Sequence, residues 1–95
     1  MMTFRLAAAL LALPTLALAG PPASGQKLYN VYCARCHGRD GRLGLNGAHD
    51  LTKSNLNIAG RTYMVVNGMG KMPAFKSELT AAEVEQVVQY SLTLK

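Results

Sequence analysis

Tryptophan is absent from this 95-residue chain, and only four tyrosines and two phenylalanines stand beside nine glycines. An inventory so poor in large side chains does not build a self-sufficient core. Acidic residues are scarce too, five against ten Lys and Arg, for a net charge of +5. The basic residues Lys27, Arg35, Arg39, Arg42, Lys53, Arg61, Lys71 and Lys76 are scattered, without the dense patch or stripe that nucleic-acid binding requires. No apolar run reaches the about twenty residues of a bilayer span, because Leu6 to Leu18 is shorter and is interrupted by Pro14. There is no internal repeat, no low-complexity tract and no strand-like alternation of useful length. Cysteine occurs only twice.

Those two cysteines carry the chemistry. Cys33-Ala34-Arg35-Cys36-His37 reads as Cys-x-x-Cys-His, the covalent attachment site of a c-type haem. Two intervening residues set the thiols at the separation of the two vinyl groups on one turn of chain, and the imidazole that follows lies beneath the ring to ligate iron. Three other readings compete. A thioredoxin-type redox couple calls for a βαβ setting that the chain lacks. A zinc site from Cys33, Cys36, His37 and His49 needs two adjacent side chains to reach one tetrahedral ion. A structural disulfide between positions 33 and 36 closes too short a loop to stabilise a fold appreciably.

The first residues agree with this. Met1-Met2-Thr3-Phe4-Arg5, the apolar stretch to Leu18 and the small-x-small ending Ala17-Leu18-Ala19 form a secretory signal peptide over residues 1–19. No cysteine stands at the cleavage point for lipid attachment. Cleavage leaves one domain, residues 20–95, with nine basic and five acidic residues, net +4. A chain of this size buries only about 60% of its unfolded surface, and a covalent haem would supply the missing apolar mass.

The mature chain reads as all-α. Ser24 is a candidate N-cap after Pro21-Pro22, and Gly25, Leu28, Tyr29 and Tyr32 recur at helical spacing up to Cys33. The glycine-rich stretch from Gly38 to Gly47 is a loop. A short helix spans about Ala59 to Asn67 and stops at Gly68. Asn67 to Phe75, with two glycines and Pro73, is again a loop. Thr80 and Glu83 form a capping box, and Val84, Val87, Val88 and Ser91 line one face of a last helix, with Tyr90 and Leu94 beside them.

With Gly25, Tyr29 and Cys33 in this order before Cys-x-x-Cys-His, the chain resembles the class I c-type cytochromes, small monohaem electron carriers, over essentially its whole mature length. The resemblance implies a small cytochrome c fold in which the N- and C-terminal helices pack crosswise around one covalent haem. They would cross at Gly25, with Tyr90 as the aromatic packed there, and Gly70-Lys71-Met72-Pro73-Ala74-Phe75 would be the family's methionine loop. One feature departs from the family. The Gly-Pro pair whose carbonyl usually accepts the proximal imidazole N–H is missing, and a carbonyl near Leu45 to Ala48 must take its place.

Met72 is the expected sixth ligand, since a residue before proline is held extended. Met69, His49, Met64 or an open site remain as alternatives. The cofactor-binding set is therefore Cys33, Cys36, His37 and Met72, with His37 and Met72 on the iron. The expected protein is a periplasmic one-electron carrier, not an enzyme, and a monomer. It would meet redox partner proteins rather than nucleic acid and keep no membrane anchor after cleavage. The alternative is a haem c subunit or accessory protein of a periplasmic oxidoreductase complex.

Overall fold

The computed structural model describes residues 22–95, so the signal peptide expected over residues 1–19 lies outside the described residues. Four helices follow in order: α1, Pro22–Tyr32; α2, Ala34–His37; α3, Ile58–Asn67; and α4, Ala81–Ser91. Among the described residues there is no strand, only an isolated pairing of Met69 with Met72. This is the all-α class that the periodicities predicted. No described helix is long and apolar enough to cross a membrane.

Helix α1 starts earlier than its capping pattern suggests. Pro22 is already helical and Ser24 lies inside the first turn rather than at the N-cap. Proline suits a first helical position, because the N–H it lacks would have no partner there and its φ is already helical. The chain continues through Cys33 into α2, with the His37 N–H on the Cys33 carbonyl at 3.0 Å, so the haem motif is delivered on helical backbone.

Helices α1 and α4 cross at Gly25. A Cβ there would run into the Gln86 carbonyl oxygen and come within 3.1 Å of the Tyr90 Cβ, so only glycine lets the backbones touch. Tyr90 packs beside this point on Tyr29, with ring centroids 5.3 Å apart and the planes tilted by 56°. The crossing and its aromatic are those that the family resemblance implied.

The core is small. Tyr29, Phe75, Leu79, Val84, Val87 and Val88 are its buried members, joined on α4 by Ser91. The α4 face anticipated from Val84, Val87, Val88 and Ser91 is thus the buried one. Its start is the expected capping box, with the Glu83 N–H donating to Thr80 Oγ1 at 3.1 Å and the Thr80 N–H to Glu83 Oε1 at 2.9 Å. Asn57 caps α3 by accepting the Gly60 N–H at 2.9 Å, which places the helix start at Ile58.

Candidate functional site

Helices α1, α2, α3 and α4 leave a cavity of about 730 Å³ between them. Cys33, Cys36 and His37 border it, as does Met72. Its inner wall is apolar, with Tyr29, Val87 and Val88 from the core. That volume lies within the range of about 300–1,000 Å³ typical of small-molecule and cofactor pockets.

Each sequence-derived residue is held by its local structure. Cys33 and Cys36 are both free and half-buried, and burial pushes the Cys33 thiol up to about 12, so it stands neutral at physiological pH. His37 ends α2. Its Nδ1–H donates to the His49 carbonyl at 3.1 Å, which fixes the tautomer and leaves Nε2 as a lone-pair donor. Burial, the dominant influence, lowers the His37 pKa and so favours that neutral form. The accepting carbonyl lies one residue beyond the stretch expected to supply it. In place of a Gly-Pro pair, the chain makes a tight turn over Leu45–Gly47 with Asn46 left-handed (φ 56°) and leaves it extended at Ala48. The Leu51 N–H then bonds the Gly41 carbonyl at 2.8 Å and pins the returning segment.

Behind the motif, the Tyr29 hydroxyl donates to the Gly38 carbonyl at 2.5 Å. The Tyr29 phenol is pushed well above its ordinary pKa, mainly by burial, and stays a neutral donor. Tyr29 thereby locks α1 to the residue that follows the histidine.

The methionine loop is a tight reversal. Met69 and Met72 exchange backbone hydrogen bonds of 3.0 and 2.9 Å around Gly70-Lys71. Gly68, at φ +71°, makes the entry possible, since a Cβ there would sit 2.5 Å from the Met72 carbonyl oxygen and 2.8 Å from the Ala74 nitrogen. The Phe75 N–H ties the loop's far end to the Val65 carbonyl at 2.9 Å. Met64, Met69 and His49 border the same cavity as Met72. Burial separates the two loop methionines: Met69 is 63% exposed, whereas Met72 is partly buried against the core.

Sequence reasoning passed over Arg61, which is buried on α3 in the cavity wall. Its Nε–H donates to the Leu56 carbonyl, Nη1 to the Ser91 carbonyl and Oγ, and Nη2 to the Leu51 carbonyl. A signal was present. Arg61 shares a helical face with Val65, as Ser91 does with Val84, Val87 and Val88, so two polar residues interrupt apolar stripes on helices that pack together.

The zinc alternative lacks a ligand set, because among the described residues no three His, Cys, Asp or Glu side chains gather as a metal would need. Two unbridged thiols and a tautomer-locked imidazole on an apolar cavity suit instead a flat apolar group held through its edge and its metal. This helical fold with that site defines a c-type cytochrome.

Comparison with known proteins agrees. The family model described as cytochrome c oxidase, cbb3-type, subunit III, matches residues 20–90. The chain is 38% identical over 76 residues to cytochrome c6 of Leptolyngbya boryana, covering 74% of this chain and 88% of that one. It is also 38% identical over 82 residues to cytochrome c6 of Rippkaea orientalis, covering 80% and 73%. Among solved structures, the c-type cytochrome KustC0563 superposes with a TM-score of 0.67 at 30% identity, over 75% of this chain and 96% of that one. Cytochrome c6 from the diatom Phaeodactylum tricornutum gives 0.62 at 25% identity, over 78% and 93%. The chain belongs to the class I c-type cytochromes, and like them it is an electron-transfer protein built around haem c rather than an enzyme.

Proposed function

We propose that this protein is an exported, periplasmic one-electron carrier with a single haem, bound covalently by Cys33 and Cys36 and ligated by His37 and Met72. The observation that carries the reading is the convergence of both free thiols, the oriented imidazole and the half-buried thioether on one apolar cavity. When bound, haem supplies a one-electron Fe(III)/Fe(II) couple. Cys33 and Cys36 would hold the group covalently, each as a thioether made by adding its S–H across one vinyl group, with sulfur on one vinyl carbon and hydrogen on the other. His37 keeps Nδ1–H on the His49 carbonyl and offers Nε2 to the metal. Met72 would offer a thioether, a ligand that favours Fe(II) and so a higher potential. With His37 and Met72 both held in a packed fold, little of the chain would rearrange as an electron came or went.

Arg35 and Lys71 border the cavity and are exposed, as are the apolar Leu45 and Met69 that also border it. Such a rim supports brief, electrostatically guided contact with redox proteins. The reading is tested on the mature protein by mass spectrometry for one haem adduct and by the reduced and oxidised visible spectra. Haem extractable by acidified solvent would refute covalent attachment.

A second reading is a haem subunit of a larger periplasmic oxidoreductase. It is favoured by the description of the matching family model and by the exposed Val31, Leu43, Tyr63 and Met69. Sedimentation of the purified holoprotein as a lone monomer, and its recovery from the periplasmic fraction without companion subunits, would count for the carrier.

A further inference from the structure

Two Asn-Gly pairs occur in the chain, Asn46-Gly47 and Asn67-Gly68, and the fold treats them differently. In such a pair the glycine nitrogen can attack the side-chain carbonyl carbon of the asparagine, because glycine has no side chain to crowd the approach. At Asn67 that path is closed. Asn67 ends α3, its Nδ2 donates to the Tyr63 carbonyl at 3.2 Å and the Gly68 N–H donates to the Met64 carbonyl at 2.8 Å. Gly68 is also packed so closely that a Cβ would sit 2.5 Å from the Met72 carbonyl oxygen.

Asn46-Gly47 is open. Asn46 is the one non-glycine residue with positive φ among those described, at φ 56° and ψ 29°, and Gly47 follows at φ 80°. Asparagine and glycine are the residues that such a left-handed reversal accepts at least cost. Leu45, Asn46 and Gly47 are all exposed, and a Cβ on Gly47 would meet nothing within 4 Å. Ring closure requires Asn46 to rotate away from its present ψ, so the turn has to open first. Opening breaks the bond from the Ala48 N–H to the Leu45 carbonyl at 3.0 Å and the contact of Asn46 Nδ2 with Cys36 Sγ at 3.9 Å, a small cost in an exposed loop.

The chemistry balances with water alone. A bond forms from the Gly47 nitrogen to Asn46 Cγ, the Cγ–Nδ2 bond breaks, and ammonia leaves with the proton from the glycine nitrogen, giving a cyclic imide. Water then opens the ring. Attack at Cγ yields aspartate; attack at the backbone carbonyl carbon yields isoaspartate, whose main chain runs through Cβ and Cγ and is longer by one carbon. Either product puts a carboxylate where the amide now meets the sulfur of Cys36. The longer chain also displaces the segment that leads through Ala48 to the His49 carbonyl, the acceptor of the His37 Nδ1–H.

We propose that Asn46 is a deamidation site: its spontaneous conversion sets a negative charge beside the Cys36 attachment point, which favours oxidised haem, and as isoaspartate it loosens the hold on His37. The consequence for the haem rests on the functional reading above.

The test is incubation of the haem-loaded mature chain in warm, mildly alkaline buffer, followed by peptide mass mapping and labelling with isoaspartyl methyltransferase. Position 46 should gain the mass of an amide-to-acid exchange and take the label, while Asn67 stays an amide. Asn46→Asp isolates the charge and should shift the redox equilibrium about threefold toward the oxidised form, the size expected of one well-solvated charge at the cavity's edge. The isoaspartate form, separated by ion exchange, should melt at a lower Tm than Asn46→Asp, since only its backbone is lengthened. An amide retained at position 46, or conversion of Asn67 at the same rate, would overturn the site. An unmoved potential in Asn46→Asp, or equal Tm for the two acidic forms, would overturn its consequence. A parent chain without covalent haem refutes the haem reading, whereas a haem-loaded chain that keeps its Asn46 amide refutes this inference only.

Discussion

Met69 and Met72 sit three residues apart on opposite sides of one tight turn, and only their burial differs strongly. If Met72 is the sixth ligand, Met72→Ala should abolish the weak Met-to-iron absorption band, lower the midpoint potential and open the iron to carbon monoxide. Met69→Ala should do none of these, and rapid carbon monoxide binding by the unmutated protein at neutral pH would refute the carrier mechanism. Tyr29 is legible only in part. Its helical register before Cys33 marks it as a packing residue, but its hydroxyl bond to the Gly38 carbonyl depends on where the chain turns after His37. Tyr29→Phe leaves that buried acceptor without its donor and should cost about 1–3 kcal/mol, measured as a lower denaturant midpoint at unchanged slope.

At the level of elements, the helices whose ends carry capping chemistry are readable from the chain. Thr80 and Glu83 announce α4, and Gly68 announces the end of α3. The start of α1 departs from its pattern because Pro22 is a first helical residue rather than part of a lead-in. The crossing of α1 and α4 sets the shape of the cavity's back wall, and it turns on Gly25. Gly25→Ala places a methyl group against the Gln86 backbone, which no rotamer can relieve, so the helices must part. The expected loss is about 1–3 kcal/mol, read from the thermal transition of the holoprotein. An unchanged Tm would mean that α1 can shift along α4 at no cost.

For the whole molecule, the balance between core and cofactor decides stability. Of the six buried apolar residues among those described, Tyr29, Phe75, Val87 and Val88 line a cavity of about 730 Å³, so the polypeptide alone leaves a large apolar surface without partner atoms. Cys33→Ala combined with Cys36→Ala, which removes covalent attachment, should leave the chain largely disordered. Far-ultraviolet circular dichroism and a thermal scan check this, and a cooperative transition in the haem-free double mutant would count against it.

Local chemistry was determined by the sequence itself: the thiol spacing, the imidazole beside it, the capping box, the helical stripe of α4 and the proline after Met72 all act within a few residues of one another. Short-range spacing is enough where a bond, a cap or a backbone angle links near neighbours. Three features needed the tertiary structure: the His49 carbonyl as partner of His37, the burial difference between Met69 and Met72, and the interment of Arg61 against Ser91, 30 residues away. Each depends on how separate segments close on one another, and hydrogen-bond partners and solvent exposure exist only once that closure has been made.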